Sequence, residues 1–283
     1  PRFAVITGIE PDHFDCYGSL EEAIDAYGSF AASIESSGLL LVAESCPSAA
    51  IAARRATVRV KTFGRCPAAD WCAADIRPTA WGSRFVLLDR GRFLTEITVA
   101  VPGRHNVDNA LAAAAMACEL GVDPDRVREG LLGFSGIRRR FERIGSWRGV
   151  TVVDDYAHHP TAVRATLETA RESLGGGRLL CAFQPHQVSR TLELFDEFVS
   201  SLELADLVLV LPVFAAREDD AAAASVSREL VERIEARDSE TRCCFVPSLD
   251  HLVATLDDET RPGDVLITMG AGDIDRVRHE FTR

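Results

Sequence analysis

Val150-Thr151-Val152-Val153-Asp154-Asp155-Tyr156-Ala157-His158-His159-Pro160-Thr161 decides the fold class. A β-branched apolar run gives way to two carboxylates, a tyrosine and two histidines, then to a proline suited to a helix's first turn. Val163, Leu167, Ala170 and Leu174 follow at spacings that put them on one helical face. Strand, polar loop and one-faced helix form the opening of a β-α-β unit, and the pattern recurs. Further strand-like runs lie at Leu179–Phe183, Leu207–Leu211, Cys244–Val246 and Val265–Thr268, and Leu192, Phe195, Val199 and Leu202 make a second helical stripe. Continuous apolar strands bracketed by one-faced helices imply an α/β fold with a mainly parallel sheet covered on both faces.

The first half is less regular. Ser19 to Ala32 reads as a helix, strand-like segments fall around Arg84–Leu88 and Ile97–Val101, and helices are expected over Val107–Leu120 and Pro124–Leu132. This predicts strands that meander beside a helical layer. The arginine- and glycine-rich segment Gly136–Gly149 is the expected junction, giving domains at 1–145 and 146–283.

Composition limits the function. With 47% hydrophobic and 26% charged residues among 283, the chain has the balance of a globular protein. A formal net charge of -12 opposes a broad surface for nucleic acid or anionic lipid. No apolar run reaches the roughly 18 residues of a membrane span, so membrane insertion is not expected. Eight cysteines without paired C-x-x-C spacing suggest reduced thiols in a cytoplasmic setting rather than a zinc site or a disulfide framework. Lys61 is the only lysine, hence the one candidate for chemistry that needs a lysine beside a phosphate. The chain opens at Pro1 directly into the strand-like run Phe3–Ile6, which reads as an excerpt of something longer.

Polar clusters sit where strands end. Thr7-Gly8-Ile9-Glu10-Pro11-Asp12-His13-Phe14-Asp15 gathers three carboxylates and an imidazole, either to hold a divalent cation, directly or through water, or as a capping loop with solvated acids. In Gly103-Arg104-His105-Asn106-Val107-Asp108-Asn109, two amides three residues apart suit the edge of adenine; asparagine is also a favoured helix cap. Arg138-Arg139-Arg140 at the junction offers a guanidinium to a nucleotide phosphate, or forms a solvated basic linker. The two acids and adjacent histidines of Asp154–His159 fit hydrogen-bonding and substrate-positioning roles better than zinc. Gln184-Pro185-His186-Gln187-Val188-Ser189-Arg190 occupies the same place one unit later, so the two clusters suggest one shared site.

The order and spacing of five motifs resembles the ATP-dependent Mur ligases over nearly the whole chain: T-x-I-E-P-D-H-x-D at Thr7–Asp15, P-G-x-H-N-V-x-N-A at Pro102–Ala110, R-R-F at Arg139–Phe141, D-D-Y-x-H-H-P-T at Asp154–Thr161 and Q-P-H at Gln184–His186. The resemblance implies part of a central ATPase domain followed by a Rossmann-like, amino-acid-binding domain. It implies ATP with Mg2+ as cofactors, and UDP-N-acetylmuramate and L-alanine as substrates joined through an acyl phosphate in peptidoglycan synthesis. By matching position, His13 would serve a magnesium site, Asn106 and Asn109 adenine, Arg140 the phosphates and Asp155 the ribose or its surroundings. Tyr156, His158 and Arg190 would line the amino-acid and acyl-phosphate region, with His158 and Arg190 catalytic.

The departures matter too. A glycine-rich loop ending in Gly-Lys-Thr or Gly-Lys-Ser is absent from this sequence, as are the UDP-binding domain and a magnesium-binding glutamate expected ahead of it, so this chain alone is not expected to complete the reaction. Gln187 stands where the family usually has arginine, which puts amino-acid affinity or identity in question. Gly8 and Arg217 replace the usual asparagine and glycine. Two competing readings are a murein-tripeptide recycling ligase and a non-catalytic nucleotide-binding or scaffold protein.

Overall fold

The computed structural model describes residues 1–12, 16–79, 81–175, 177–237 and 240–281, which form two compact units, 1–135 and 136–283. In the first unit, β1 (Phe3–Ile6), β2 (Leu39–Ala43), β3 (Arg59–Gly64), β4 (Trp71–Thr79), β5 (Gly82–Asp89) and β6 (Arg92–Val99) lie side by side in chain order. The pairings β1–β2, β2–β3 and β3–β4 are parallel, and β4–β5–β6 run antiparallel. Helices α1 (Leu20–Ala32), α2 (Pro47–Ala53), α3 (Arg104–Glu119) and α4 (Pro124–Leu132) cover the sheet.

The expected meander is therefore only the second half of this sheet. The parallel half hides in Leu39-Leu40-Leu41-Val42-Ala43, all buried, where no alternation of polar and apolar residues advertises a strand. Alternation in packing explains the run. Leu39, Leu41 and Ala43 enter the core under α3, while Leu40 and Val42 enter the core under α1 and α2.

The second unit holds β7 (Glu142–Trp147), β8 (Val150–Asp155), β9 (Leu179–Phe183), β10 (Leu207–Val210), β11 (Arg242–Phe245) and β12 (Val265–Met269) in the order β11-β10-β9-β12-β8-β7. All neighbours are parallel except β7–β8. The helices are α5 (Pro160–Leu174), α6 (Val188–Glu193), α7 (Phe195–Leu202), α8 (Ala223–Glu235), α9 (Leu249–Glu259) and α10 (Arg278–Phe281), the last preceded by a short 3-10 turn at Asp273–Val277. The mainly parallel sheet is as expected, and each of the five strand-like runs contributes to a strand.

Two expectations need adjusting. Boundary 145/146 falls inside β7, whose pairing with β8 ties 142–147 to the second unit. The stripe beginning at Leu192 is interrupted at Leu194, where φ -111 and ψ 30 separate α6 from α7, and Leu192 itself is exposed. No described helix is long and apolar enough to cross a membrane.

Candidate functional site

Ligand-type residues gather in each unit at the C-terminal ends of parallel strands, the edge at which open α/β sheets bind ligands. In the first unit a cavity of about 380 Å3 is lined by Thr7 after β1, Glu44 and Ser45 after β2, Gly64 at the end of β3 and Arg65 after it, and His105, Asp108 and Asn109 from the start of α3. Three strand ends and one helix thus build it. Asn109 reaches this cavity and Asn106 is not among the lining residues named with it. Instead the Asn106 amide donates to the Pro102 carbonyl at 2.7 Å, holding the turn into α3, and its oxygen accepts from Asn109 Nδ2 at 3.5 Å. That contact orients the Asn109 amide with its oxygen, an acceptor, turned away from Asn106.

Sequence reading missed Glu44, Arg65 and Asp108. Arg65 Nε lies 3.3 Å from Asp108 Oδ1, yet that buried oxygen has no hydrogen-bond partner. Burial lifts the Asp108 carboxyl above its ordinary range; Arg65 pulls against this and Glu44 adds to it. Strand-end position is the one signal that could have found Glu44 and Arg65. Lys61 is not a phosphate ligand waiting in this cavity. Its ammonium pairs with the Glu119 carboxylate, which also accepts from Trp71 Nε1 at 3.0 Å, and both charged side chains are largely buried. His13 lies outside the described residues, and among those described no group of three metal-type ligands is assembled.

In the second unit the polar clusters after β8 and β9 converge, although β12 lies between the two strands. The ring centroids of His158 and His186 are 5.7 Å apart, Tyr156 packs edge-on against His158 at 5.2 Å, and Phe214, after β10, stacks on His186 at 5.8 Å. His158 Nδ1 lies 2.8 Å from the Tyr156 carbonyl, which can only accept, so Nδ1 carries a proton and the neutral ring has its lone pair on Nε2. The opposite holds for neutral His186, whose Nδ1 accepts from Arg190 Nη1 at 3.2 Å. Arg190 is only 3% exposed and also donates to the His186 carbonyl.

The arginines before β7 are placed by strained backbone. Arg139 and Phe141 have φ of 58° and 49°, a left-handed conformation costly for residues with a Cβ. Asp155 holds it: one carboxylate oxygen accepts from Phe141 N–H and the other from Ala157 N–H, both at 2.7 Å. Burial pushes the Asp155 carboxyl up to about 6 despite these two bonds and the nearby Arg140. Asp155, expected near the ribose, is thus a buried clamp on its own chain. Exposed Arg140 and half-buried Arg139 both place their guanidinium groups over the Tyr156 ring, at 5.3 and 5.1 Å. Arg139 also donates to the Gly270 carbonyl at 2.6 Å. At Gly270, with φ of 147°, an added Cβ would meet the Gln184 carbonyl oxygen at 2.5 Å, so glycine is required there. Gln184 is structural as well, donating to Asp273 and accepting from Ile274 N–H.

Two α/β units, each presenting polar side chains at the C-terminal edge of parallel strands, define a class of protein that handles polar ligands on two sheets. The chain belongs to the Mur ligase family. Residues 1–117 match the Mur ligase middle domain, and residues 139–272 match the Mur ligase glutamate ligase domain. A UDP-N-acetylmuramate–L-alanine ligase of Kineococcus radiotolerans is 46% identical over 99% of this chain and 59% of its own length. A protein of the same name from Geobacter sp. is 37% identical over 98% of this chain and 60% of its own. Among solved structures, the UDP-N-acetylmuramate–alanine ligase of Thermotoga maritima is 26% identical with a TM-score of 0.79, covering 99% of this chain and 59% of that one. A murein peptide ligase of Psychrobacter arcticus is 25% identical with a TM-score of 0.69, covering 99% and 57%. The chain therefore spans about three fifths of the relatives it matches.

Proposed function

We propose that this chain is the nucleotide- and amino-acid-handling part of an ATP-dependent ligase that joins L-alanine to UDP-N-acetylmuramate. What carries the reading is a buried guanidinium, Arg190, bonded to His186, whose ring lies 5.7 Å from that of His158, an imidazole whose neutral tautomer has its basic nitrogen at Nε2. Identity of 46% to a ligase of that name supports it.

In this reading the substrate carboxylate attacks the γ-phosphorus of ATP, ADP leaves, and an acyl phosphate forms. L-alanine is held through its carboxylate by Arg190, a charge-assisted contact. Its ammonium must lose a proton before attack; His158 Nε2 accepts that proton. The amine then attacks the acyl carbon, and collapse of the tetrahedral intermediate expels inorganic phosphate. Arg140, exposed beside Tyr156, supplies positive charge to the phosphates. Adenine occupies the cavity of the first unit, where the outward acceptor of Asn109 suits an exocyclic amine. His13 would be the protein donor to a magnesium ion, which would supply charge neutralisation at the phosphates.

The test is ADP release by the natural polypeptide purified from its source cells. Release that requires both UDP-N-acetylmuramate and free L-alanine is the expected result. Release that instead requires the tripeptide L-alanyl-γ-D-glutamyl-meso-diaminopimelate assigns it to the murein-peptide branch, and nucleotide binding without any release leaves the non-catalytic reading.

A further inference from the structure

Beyond the residues that would touch substrate, one carboxylate is bonded into the turn that carries Arg190. Glu218, on the loop after β10, accepts from Val188 N–H at 2.5 Å and Ser189 N–H at 3.1 Å through one oxygen, and from the Ser189 hydroxyl through the other. These are the first N–H groups of α6, and its N-cap residue, Gln187, supplies no side-chain cap. A six-residue helix is far too short to persist by its own hydrogen bonds. An external acceptor is what this turn lacks locally, and Glu218 provides it.

The same two loops are stitched elsewhere. Phe214 N–H donates to the Pro185 carbonyl at 2.8 Å and Gln187 N–H to the Phe214 carbonyl at 2.9 Å. At either end of the seam a non-glycine residue is left-handed, Gln187 with φ of 66° and Ala216 with φ of 60°. Such strain, on the order of 1–3 kcal/mol per residue, survives only where surrounding bonds over-determine the backbone. The strained turn carries His186, Gln187 and Arg190, and the Arg190 guanidinium is bonded back to His186.

We propose that Glu218 is a positioning residue for the amino-acid subsite: by bridging Val188 and Ser189 it locks the strained turn and so fixes where Arg190 presents its charge. The inference rests on the ligase reading for its substrate. Burial works to raise the Glu218 carboxyl, but the Ser189 and Val188 hydrogen bonds and the field of Arg190 outweigh it and hold the group below its ordinary range. The clamp is therefore intact at neutral pH and weakens only as pH falls through that lowered value.

Glu218→Ala and Glu218→Gln test this, with two readouts. In the 283-residue chain, amide hydrogen exchange at residues 186–191 is expected to speed up about tenfold in Glu218→Ala, the worth of one charge-assisted bond, and less in Glu218→Gln, which keeps one acceptor oxygen. In the natural ligase polypeptide, KM for L-alanine is expected to rise about tenfold while KM for ATP stays within about twofold, again with Gln intermediate. Unchanged exchange overturns the clamp. Faster exchange with both KM values moving together, or neither moving, overturns the positioning role. Should the alanine variant fail to fold, the glutamine variant decides by the same criteria. If the wild type does not ligate L-alanine, the functional reading fails by that assay alone, and exchange still decides the clamp.

Discussion

Asp108 in the first unit and Asp155 and Glu218 in the second are used in opposite ways. In the first, Asp108 faces a cavity with an oxygen that finds no hydrogen-bond partner, and its neighbours Glu44 and Arg65 line the same space. In the second, Asp155 and Glu218 are consumed by backbone N–H groups of their own chain. An open cavity leaves polar groups for a ligand to complete. A clamped site uses its acids as scaffold and leaves guanidinium and imidazole for the substrate in the proposed function. Carboxylates in the two units should therefore fail differently when replaced.

The largest effect is expected away from both sites. Glu119→Ala strands the Lys61 ammonium beneath Trp71, and breaking one side of a buried ion pair costs about 3–5 kcal/mol. Chemical denaturation of the chain should show this as a loss confined to the first unit. If the loss is below about 1 kcal/mol, the pair is more hydrated than its burial indicates.

Asp155→Asn sharpens the contrast at the second unit. An amide can accept from only one of Phe141 N–H and Ala157 N–H, so a loss of about 1–3 kcal/mol is expected at neutral pH. The pH dependence is the more telling readout. A carboxyl whose folded pKa is raised to about 6 from 3.8 contributes stability that is full below the unfolded value and is lost as pH rises through the folded one. Wild-type stability should carry a falling component between about pH 4 and 6 that Asp155→Asn removes. An unchanged slope in the variant would mean that the two backbone bonds keep Asp155 ionised throughout.

The second unit was the more legible in the sequence because its strands and helices alternate and each polar cluster follows a strand. The convergence of Asp154–His159 with Gln184–Arg190 could be anticipated from their equivalent positions. Their division of labour could not: nothing local to Asp155 shows that Phe141 N–H lies 2.7 Å away, since that bond depends on how β7 pairs. In the first unit, Leu39–Ala43 carries no period-two signal because both faces are buried. Missing that strand meant missing Glu44 at its end. Asn106 and Asn109, alike in the sequence, separate only when α3 turns one amide to the Pro102 carbonyl and the other to the cavity.

In the proposed function adenine and amino acid are held by different units, adenine by the first through Asn109 and L-alanine by the second through Arg190. Steady-state kinetics of Asn109→Ala and Arg190→Ala in the natural ligase polypeptide test it most directly. Asn109→Ala is expected to raise KM for ATP about fivefold, the worth of roughly 1 kcal/mol, with KM for L-alanine unchanged. Arg190→Ala should cost about a hundredfold or more in kcat/KM for L-alanine, as loss of a buried charged contact does, with KM for ATP little altered. Both variants weakening the same substrate, or neither weakening either, would contradict it.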